Sequence, residues 1–174
     1  MVAITLDGEL AATEIKKNLK QRISELSKVS VTPGLGTILV GDDGPSKNYI
    51  AMKHRDCKEL GMHSKEIALP GNTSQQEILE AVEAFNHDPQ IHAFIIQYPF
   101  PNGLDYESAL LEVLPHKDAD GLHPINLGRL VQGIDAPLAC TPAGIQLLLE
   151  RFDVPISGQH VVIIGRGLTI GRPL

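Results

Sequence analysis

The sequence predicts an α/β fold with helices on both faces of a largely parallel sheet, followed by the start of a second α/β unit. Three observations predict it. Short apolar runs alternate along the chain with longer stretches of helical periodicity, the order produced when crossover helices connect parallel strands. Hydrophobic residues make up 43% of the 174 residues, enough to bury a core of Ile, Leu, Val and Ala, since aromatics are only 4%. A further apolar run, Val161-Val162-Ile163-Ile164, leads directly into the glycine-rich stretch Gly165-Arg166-Gly167, which is how a phosphate-binding loop is usually laid out.

Taken in order, Leu10, Ile15, Leu19, Ile23 and Leu26 recur at helical spacing and predict an amphipathic helix over residues 9–28. Gly34 to Val40 reads as a buried strand, and Gly41-Asp42-Asp43-Gly44-Pro45 as the turn that follows it. Residues 46–60 return to helical spacing, closed by Gly61. His63 to Leu69 is a second strand. Ser74 and Glu77 form a capping box ahead of Ile78, Ala81, Val82 and Phe85. Ala93 to Ile96 is a third strand, and Asp105 caps a helix running through Leu114. Gly133 to Cys140 carries little periodicity, which places a domain boundary near Cys140. Thr141-Pro142 then reads as a helix cap with an N1 proline, and His160 to Ile164 as a strand running into Gly165.

Composition excludes several classes. The net charge is −6, with 21 acidic and 15 basic residues, and no dense Lys/Arg run offers a surface to nucleic acid. Two cysteines, Cys57 and Cys140, make neither a disulfide framework nor a metal site, so a reducing compartment is expected. No signal peptide or membrane span is legible. The expectation is a soluble cytoplasmic protein with no membrane partner and no metal.

Four constellations carry chemistry. On the helix beginning near Ser46, Tyr49, Ile50, Lys53, Cys57 and Leu60 share one face. Lys53 in an apolar stripe costs desolvation energy unless it finds a partner or loses its proton more easily, and the second state is that of a general base. Helix geometry alone slightly favours the alternative, a lysine reaching out to solvent. Gln97 ends an apolar strand just before Pro99 and Pro101, where ligand clefts open in α/β sheets; it serves either a ligand or the loop backbone. Asp118-Ala119-Asp120-Gly121-Leu122-His123-Pro124 suggests a fixed loop. A carboxylate in such a loop can accept two N–H donors from a heterocycle, although plain turn chemistry accounts for it as well. His123 reads as loop packing. Finally, Gly165-Arg166-Gly167-Leu168-Thr169-Ile170-Gly171 has the spacing G-x-G-x-x-x-G, one residue longer than the usual dinucleotide fingerprint.

The order of these segments resembles the methylenetetrahydrofolate dehydrogenase/cyclohydrolase family. Val40-Gly41-Asp42-Asp43 with Ser46, Tyr49 and Lys53 is similar to its first signature. Gln97-Tyr98-Pro99-Phe100-Pro101 resembles its Q-x-P-x-P segment, with Tyr98 and Phe100 where the family often has aliphatic residues. Lys117 to Pro124, then Asn126 and Gly128-Arg129-Leu130, resemble its K-D-x-D-G-x-H-P block. Cys140-Thr141-Pro142 and Gly165-Arg166-Gly167…Gly171-Arg172-Pro173 follow in the same order.

The resemblance implies a folate-binding catalytic domain over residues 1–139, a three-layer α/β substrate domain. Residues 140–174 would begin a Rossmann-type NADP-binding domain. It implies NADP-dependent oxidation of 5,10-methylenetetrahydrofolate, then hydrolysis of the methenyl product to 10-formyltetrahydrofolate. By position, Lys53 would handle protons in the hydrolysis, Gln97 would hold Lys53, and Tyr49 would order the network. Asp120 would grip the pterin, with Tyr49, Gln97 and Pro99 also at the substrate. Gly165, Arg166, Gly167 and Gly171 would contact NADP. A homodimer is implied. Alternatives are a monofunctional NAD-dependent dehydrogenase and an inactive fragment of the bifunctional enzyme. Because Leu174 falls inside the glycine motif, the expectation is that the 174 residues alone are inactive.

Overall fold

The computed structural model describes residues 3–174. Three parallel strands, β1 (Gly34–Val40), β2 (His63–Leu69) and β3 (Ala93–Ile96), form one sheet in the order β2-β1-β3. The helices are α1 (Gly8–Ser27), α2 (Gly44–Leu60), α3 (Gln75–His87), α4 (Tyr106–Leu111), α5 (Pro124–Gln132) and α6 (Cys140–Arg151).

Local chemistry sets most of these boundaries. Asp7 accepts the amides of Glu9 and Leu10 at 3.0 Å each and starts α1. Asp43 accepts Ser46 N at 2.9 Å, and Gly61 ends α2 in the left-handed region at φ 78°. Ser74 and Glu77 complete the expected capping box on α3.

The centre of the sheet is β1, and its side chains alternate between two layers. Ile38 and Val40 pack into a core with Ile78, Ala81, Val82 and Phe85 of α3, and with Phe94 and Ile96 of β3. Gly36 lies in the same row, where a Cβ would come within 2.8 Å of Phe94 and 2.9 Å of the Phe85 ring. Thr37 points the other way, 2.9 Å from His54 Nε2 on α2. Helices therefore cover both faces, as the alternation of strands and helices predicted. Because the strands are parallel, their carboxyl ends lie on one edge of the sheet. The loops after β1 and β3 open there.

The loop after α4 is stitched along the side of β3 and to the end of α3. Asp118 bridges Phe94, Ala119 N donates to Phe94 O at 3.2 Å, and Lys117 Nζ donates to the carbonyls of Phe85 and Asp88 at the end of α3. Gly121 then passes directly beneath residues 138–139. Its φ is +68°, and a Cβ would lie 2.2 Å from the Leu138 backbone. Gly121→Ala should cost more than the roughly 1–2 kcal/mol of left-handed backbone alone, since Leu138 must also move. A denaturant midpoint unchanged from wild type would refute that close approach.

Three expectations are corrected, and one helix is added. His160 to Ile164 is not a strand: no described strand pairs with it, and Ile164 is 99% exposed. An apolar run forms a strand only where a neighbour completes its ladder. Thr141 and Pro142 do not cap α6. The helix begins at Cys140 after a buried Ala139, and Asp120 O, rather than a cap side chain, accepts the Cys140 amide at 3.1 Å. Helix α4 is shorter than expected, ending at Leu111 instead of Leu114. Asn86 of α3 intercepts the chain there, donating to Glu112 O at 2.7 Å and accepting from Leu114 N at 3.0 Å. Helix α5 was not anticipated. Pro124 in its first turn and Gly133 at φ 67° after its end are ordinary boundary signals, and His123 caps it by accepting Ile125 N at 3.1 Å.

Candidate active site

The site grows from the carboxyl ends of β1 and β3. Helix α2 buries Ser46, Ile50, Cys57 and Leu60, and Lys53 lies half-buried in the same stripe. Tyr49 falls at its margin and is 57% exposed, which corrects the expectation that it shares the buried face. β3 delivers Gln97 opposite Lys53. Lys53 Nζ donates to Gln97 Oε1 at 3.1 Å, although 44 positions separate them. Gln97 Nε2 donates in turn to the Tyr98 carbonyl at 2.8 Å. That second bond fixes which end of the amide faces the lysine, because an amide whose nitrogen is engaged presents its oxygen on the other side. Lys53 thus has a partner rather than reaching into solvent.

The two aspartates of the next loop have separate tasks. Asp118 is 3% exposed and accepts Gly121 N at 3.0 Å, His123 N at 2.8 Å and Asn126 Nδ2 at 2.9 Å. Its oxygens are committed to holding the loop and the start of α5. The Asp120 carboxylate takes no hydrogen bond among the described residues and lines the cavity that Lys53 and Gln97 also line. Burial pushes the Asp120 carboxyl above the ordinary range, the Lys53 ammonium pulls it part of the way back, and the Asp118 charge pushes it up again. A half-buried carboxylate with unused acceptors is suited to bind N–H donors from a ligand. His123 sits buried with both ring nitrogens engaged, by Ile125 N and Leu111 O.

The cavity holds about 410 Å³, and its walls are largely apolar, from Leu110, Leu122 and Leu127. Sequence reasoning assigned no role to Tyr106, whose ring lines this cavity as well. Burial, reinforced by the Asp120, Asp118 and Tyr98 groups, holds its phenol well above the usual tyrosine range, so it stays neutral. The available signal was helical spacing, since Tyr106 and Leu110 are four apart behind the Asp105 cap. Asn126 was also given no role; it is fully buried and braces Asp118. Of the other expected residues, Pro99 is exposed beside the cavity mouth and does not line it.

The glycine segment is irregular through Gly167 and then runs as turns from Leu168 to Pro173, with Leu168 and Thr169 reaching the cavity wall. Gly165 has φ +129°, and a Cβ at Gly165 or Gly167 would meet nothing within 4 Å, so backbone is presented openly on that side. Gly171 is packed shut, with a Cβ position 2.5 Å from Gly165 O. Arg166 is exposed and makes no ion pair among the described residues. Open backbone beside an unpaired guanidinium suits a phosphate group.

A parallel α/β sheet with a lysine–amide pair and a half-buried carboxylate at its carboxyl edge defines a ligand-binding α/β domain of catalytic type. Residues 6–120 match the tetrahydrofolate dehydrogenase/cyclohydrolase catalytic domain, and residues 139–174 match that family's NAD(P)-binding domain; the chain belongs to this family. It is 48% identical over all 174 residues to the "Bifunctional protein FolD" of Syntrophotalea carbinolica and spans 60% of that protein. It superimposes with TM-score 0.94 on the bifunctional FolD of Campylobacter jejuni, at 36% identity over 98% of this chain and 61% of that one. A third relative is the Trypanosoma brucei dehydrogenase-cyclohydrolase, solved with NADP and an inhibitor. It matches at 31% identity and TM-score 0.94, over 98% of this chain and 59% of that one. The chain therefore spans about 60% of the length of these relatives.

Proposed function

We propose that residues 1–139 form the folate-binding catalytic domain, and residues 140–174 the start of the NADP-binding domain, of a bifunctional methylenetetrahydrofolate dehydrogenase/cyclohydrolase. The observation that carries this reading is the Lys53 Nζ to Gln97 Oε1 contact at 3.1 Å, in a cavity shared with Asp120. Homodimer formation and a cytoplasmic location belong to the same proposal.

Asp120 accepts N–H donors of the pterin and orients the ring, and the leucine walls exclude water from its faces. Tyr49, exposed one turn before Lys53, approaches the substrate from the solvent side and orders the lysine network, and Pro99 borders the mouth. Gly165, Arg166, Gly167 and Gly171 would hold NADP, which when bound supplies the acceptor for the hydride leaving the bridging methylene. Hydride transfer mainly needs juxtaposition, and no side chain here has to act as acid or base for it. Hydrolysis is different. Water adds to the methenyl carbon, loses a proton, and the bond from that carbon to N5 breaks as N5 gains one. Lys53, held by Gln97, is the group placed to move that proton.

Calorimetric titration with 5-formyltetrahydrofolate tests the reading. Asp120→Ala removes a charge-assisted contact worth on the order of 1.5–3 kcal/mol, so affinity should fall roughly 10- to 150-fold. Since burial raises the Asp120 carboxyl above its ordinary range, wild-type binding should weaken on acidification sooner than for an exposed aspartate. Unaltered folate affinity in the variant would overturn the assignment.

A further inference from the structure

Lys53 and the residue after it on α2 face different partners. Lys53 belongs to the stripe formed by Ser46, Ile50, Cys57 and Leu60, whereas His54, about 100° further round the helix axis, falls on the far margin of that stripe. His54 is half-buried and reaches β1, where its Nε2 lies 2.9 Å from Thr37 Oγ1. Thr37 is fully buried in the central strand, and His54 is the one hydrogen-bond partner of its hydroxyl among the described residues. A hydroxyl can both donate and accept, so the bond forms with the imidazole proton on either nitrogen. By strand alternation Leu35 and Leu39 face the α2 side with Thr37. The bond is therefore a polar point between apolar neighbours.

Gln97 depends on the same stretch of β1. Its backbone amide donates to the carbonyl of Ile38, the residue after Thr37, at 2.9 Å, and its side-chain oxygen accepts from Lys53 Nζ at 3.1 Å. The contacts close a ring: Lys53 to His54 along α2, His54 to Thr37 across to β1, Thr37 to Ile38 along the strand, Ile38 to Gln97 on β3, and Gln97 back to Lys53. Apolar packing is non-directional, so by itself it would let α2 roll or slide on the sheet, and the distance from Nζ to Oε1 would change with it. A directional bond on the other side of the helix removes that freedom. Fixing register is the best-attested use of a polar group set among apolar ones.

We infer that His54, bonded to Thr37, is a positioning residue for the hydrolytic step, seating α2 on β1 so that Lys53 Nζ meets Gln97 Oε1. His54 does not line the cavity and acts only through Lys53. The inference rests on the bifunctional reading above and adds a residue to its hydrolytic half, since hydride transfer needs no proton from Lys53.

The test is made in an active protein carrying this chain, with oxidation and hydrolysis each followed by the methenyl absorbance. His54→Leu should lower kcat for hydrolysis roughly 10- to 100-fold, since a misplacement of about 1 Å can cost 10²-fold. KM and the rate of oxidation should change little. His54→Gln should restore most of the loss, because its amide can pair with the Thr37 hydroxyl. Thr37→Val should reproduce the loss, and the Thr37→Val/His54→Leu double variant should lose no more than either single variant. The double variant leaves no buried hydroxyl without a partner, so its fold should hold. A melting temperature near wild type with hydrolysis still slow separates positioning from loss of structure. Hydrolysis at the wild-type rate in His54→Leu, equal losses of both activities, no rescue by His54→Gln, or fully additive single variants would each overturn the inference and leave the folate reading intact. A wild-type protein that oxidises methylenetetrahydrofolate without hydrolysing the product would overturn the bifunctional reading and the inference with it.

Discussion

Replacing Lys53 by Met in an active protein carrying this chain should slow hydrolysis of methenyltetrahydrofolate by about 10²- to 10⁴-fold, the usual contribution of a positioned proton-transfer group. Oxidation of methylenetetrahydrofolate should survive in part. Methionine keeps much of the length and apolar stem of lysine, so Ile50 and Cys57 on the same face should stay packed. What disappears is the nitrogen 3.1 Å from Gln97 Oε1. The two activities can be followed separately in one spectrophotometric experiment, by the appearance and the decay of the methenyl absorbance. Hydrolysis close to wild-type rate in this variant would remove Lys53 from the chemistry. Loss of both activities together would instead indicate a substrate-positioning role.

The largest effect on stability should come from Asp118→Ala. The substitution strips the acceptor from three N–H groups, of Gly121, His123 and Asn126. Each buried donor left unmet costs about 1–3 kcal/mol, giving a total of at least about 3 kcal/mol. For a chain of this size that lowers the melting temperature by roughly 6–12 °C. Scanning calorimetry beside Asp120→Ala makes the comparison, since the partly exposed Asp120 should show no such fall. Equal melting temperatures for the two variants would mean that the division of labour between these aspartates is wrong.

That division marks where the sequence stops being legible. Asp118 and Asp120 are chemically the same and two positions apart, and only burial and the N–H groups around each one separate clamp from ligand. Lys53 and Gln97 could each be flagged, one by its stripe and one by its place at a strand end. Their contact spans 44 positions and arises because β3 pairs beside β1 while α2 packs over it. Local signals worked best where a backbone group had a nearby side-chain partner. The Ser74 and Asp105 caps are of this kind, and α3 and α4 begin directly after them. They failed where the partner was distant. The first amide of α6 is satisfied by Asp120 O from another loop, which no cap motif at Thr141 could reveal. The run from Val161 to Ile164 has strand composition, but composition does not supply a neighbour to pair with.

The close passage of Gly121 under Leu138 has a mechanical consequence. Cys140 donates its amide to Asp120 O at 3.1 Å and its thiol to Ala119 O at 3.2 Å, and a Cβ on Gly121 would already overlap the Leu138 backbone. The first turn of α6 and the loop bearing the Asp120 carboxylate are therefore clamped together over a few ångströms. Such a junction couples the two elements: a tilt of α6 about its amino end must shift the loop that carries Asp120, while its far end at Arg151 pairs with Glu14 of α1. The position of the Asp120 loop and the attitude of α6 are one mechanical coordinate.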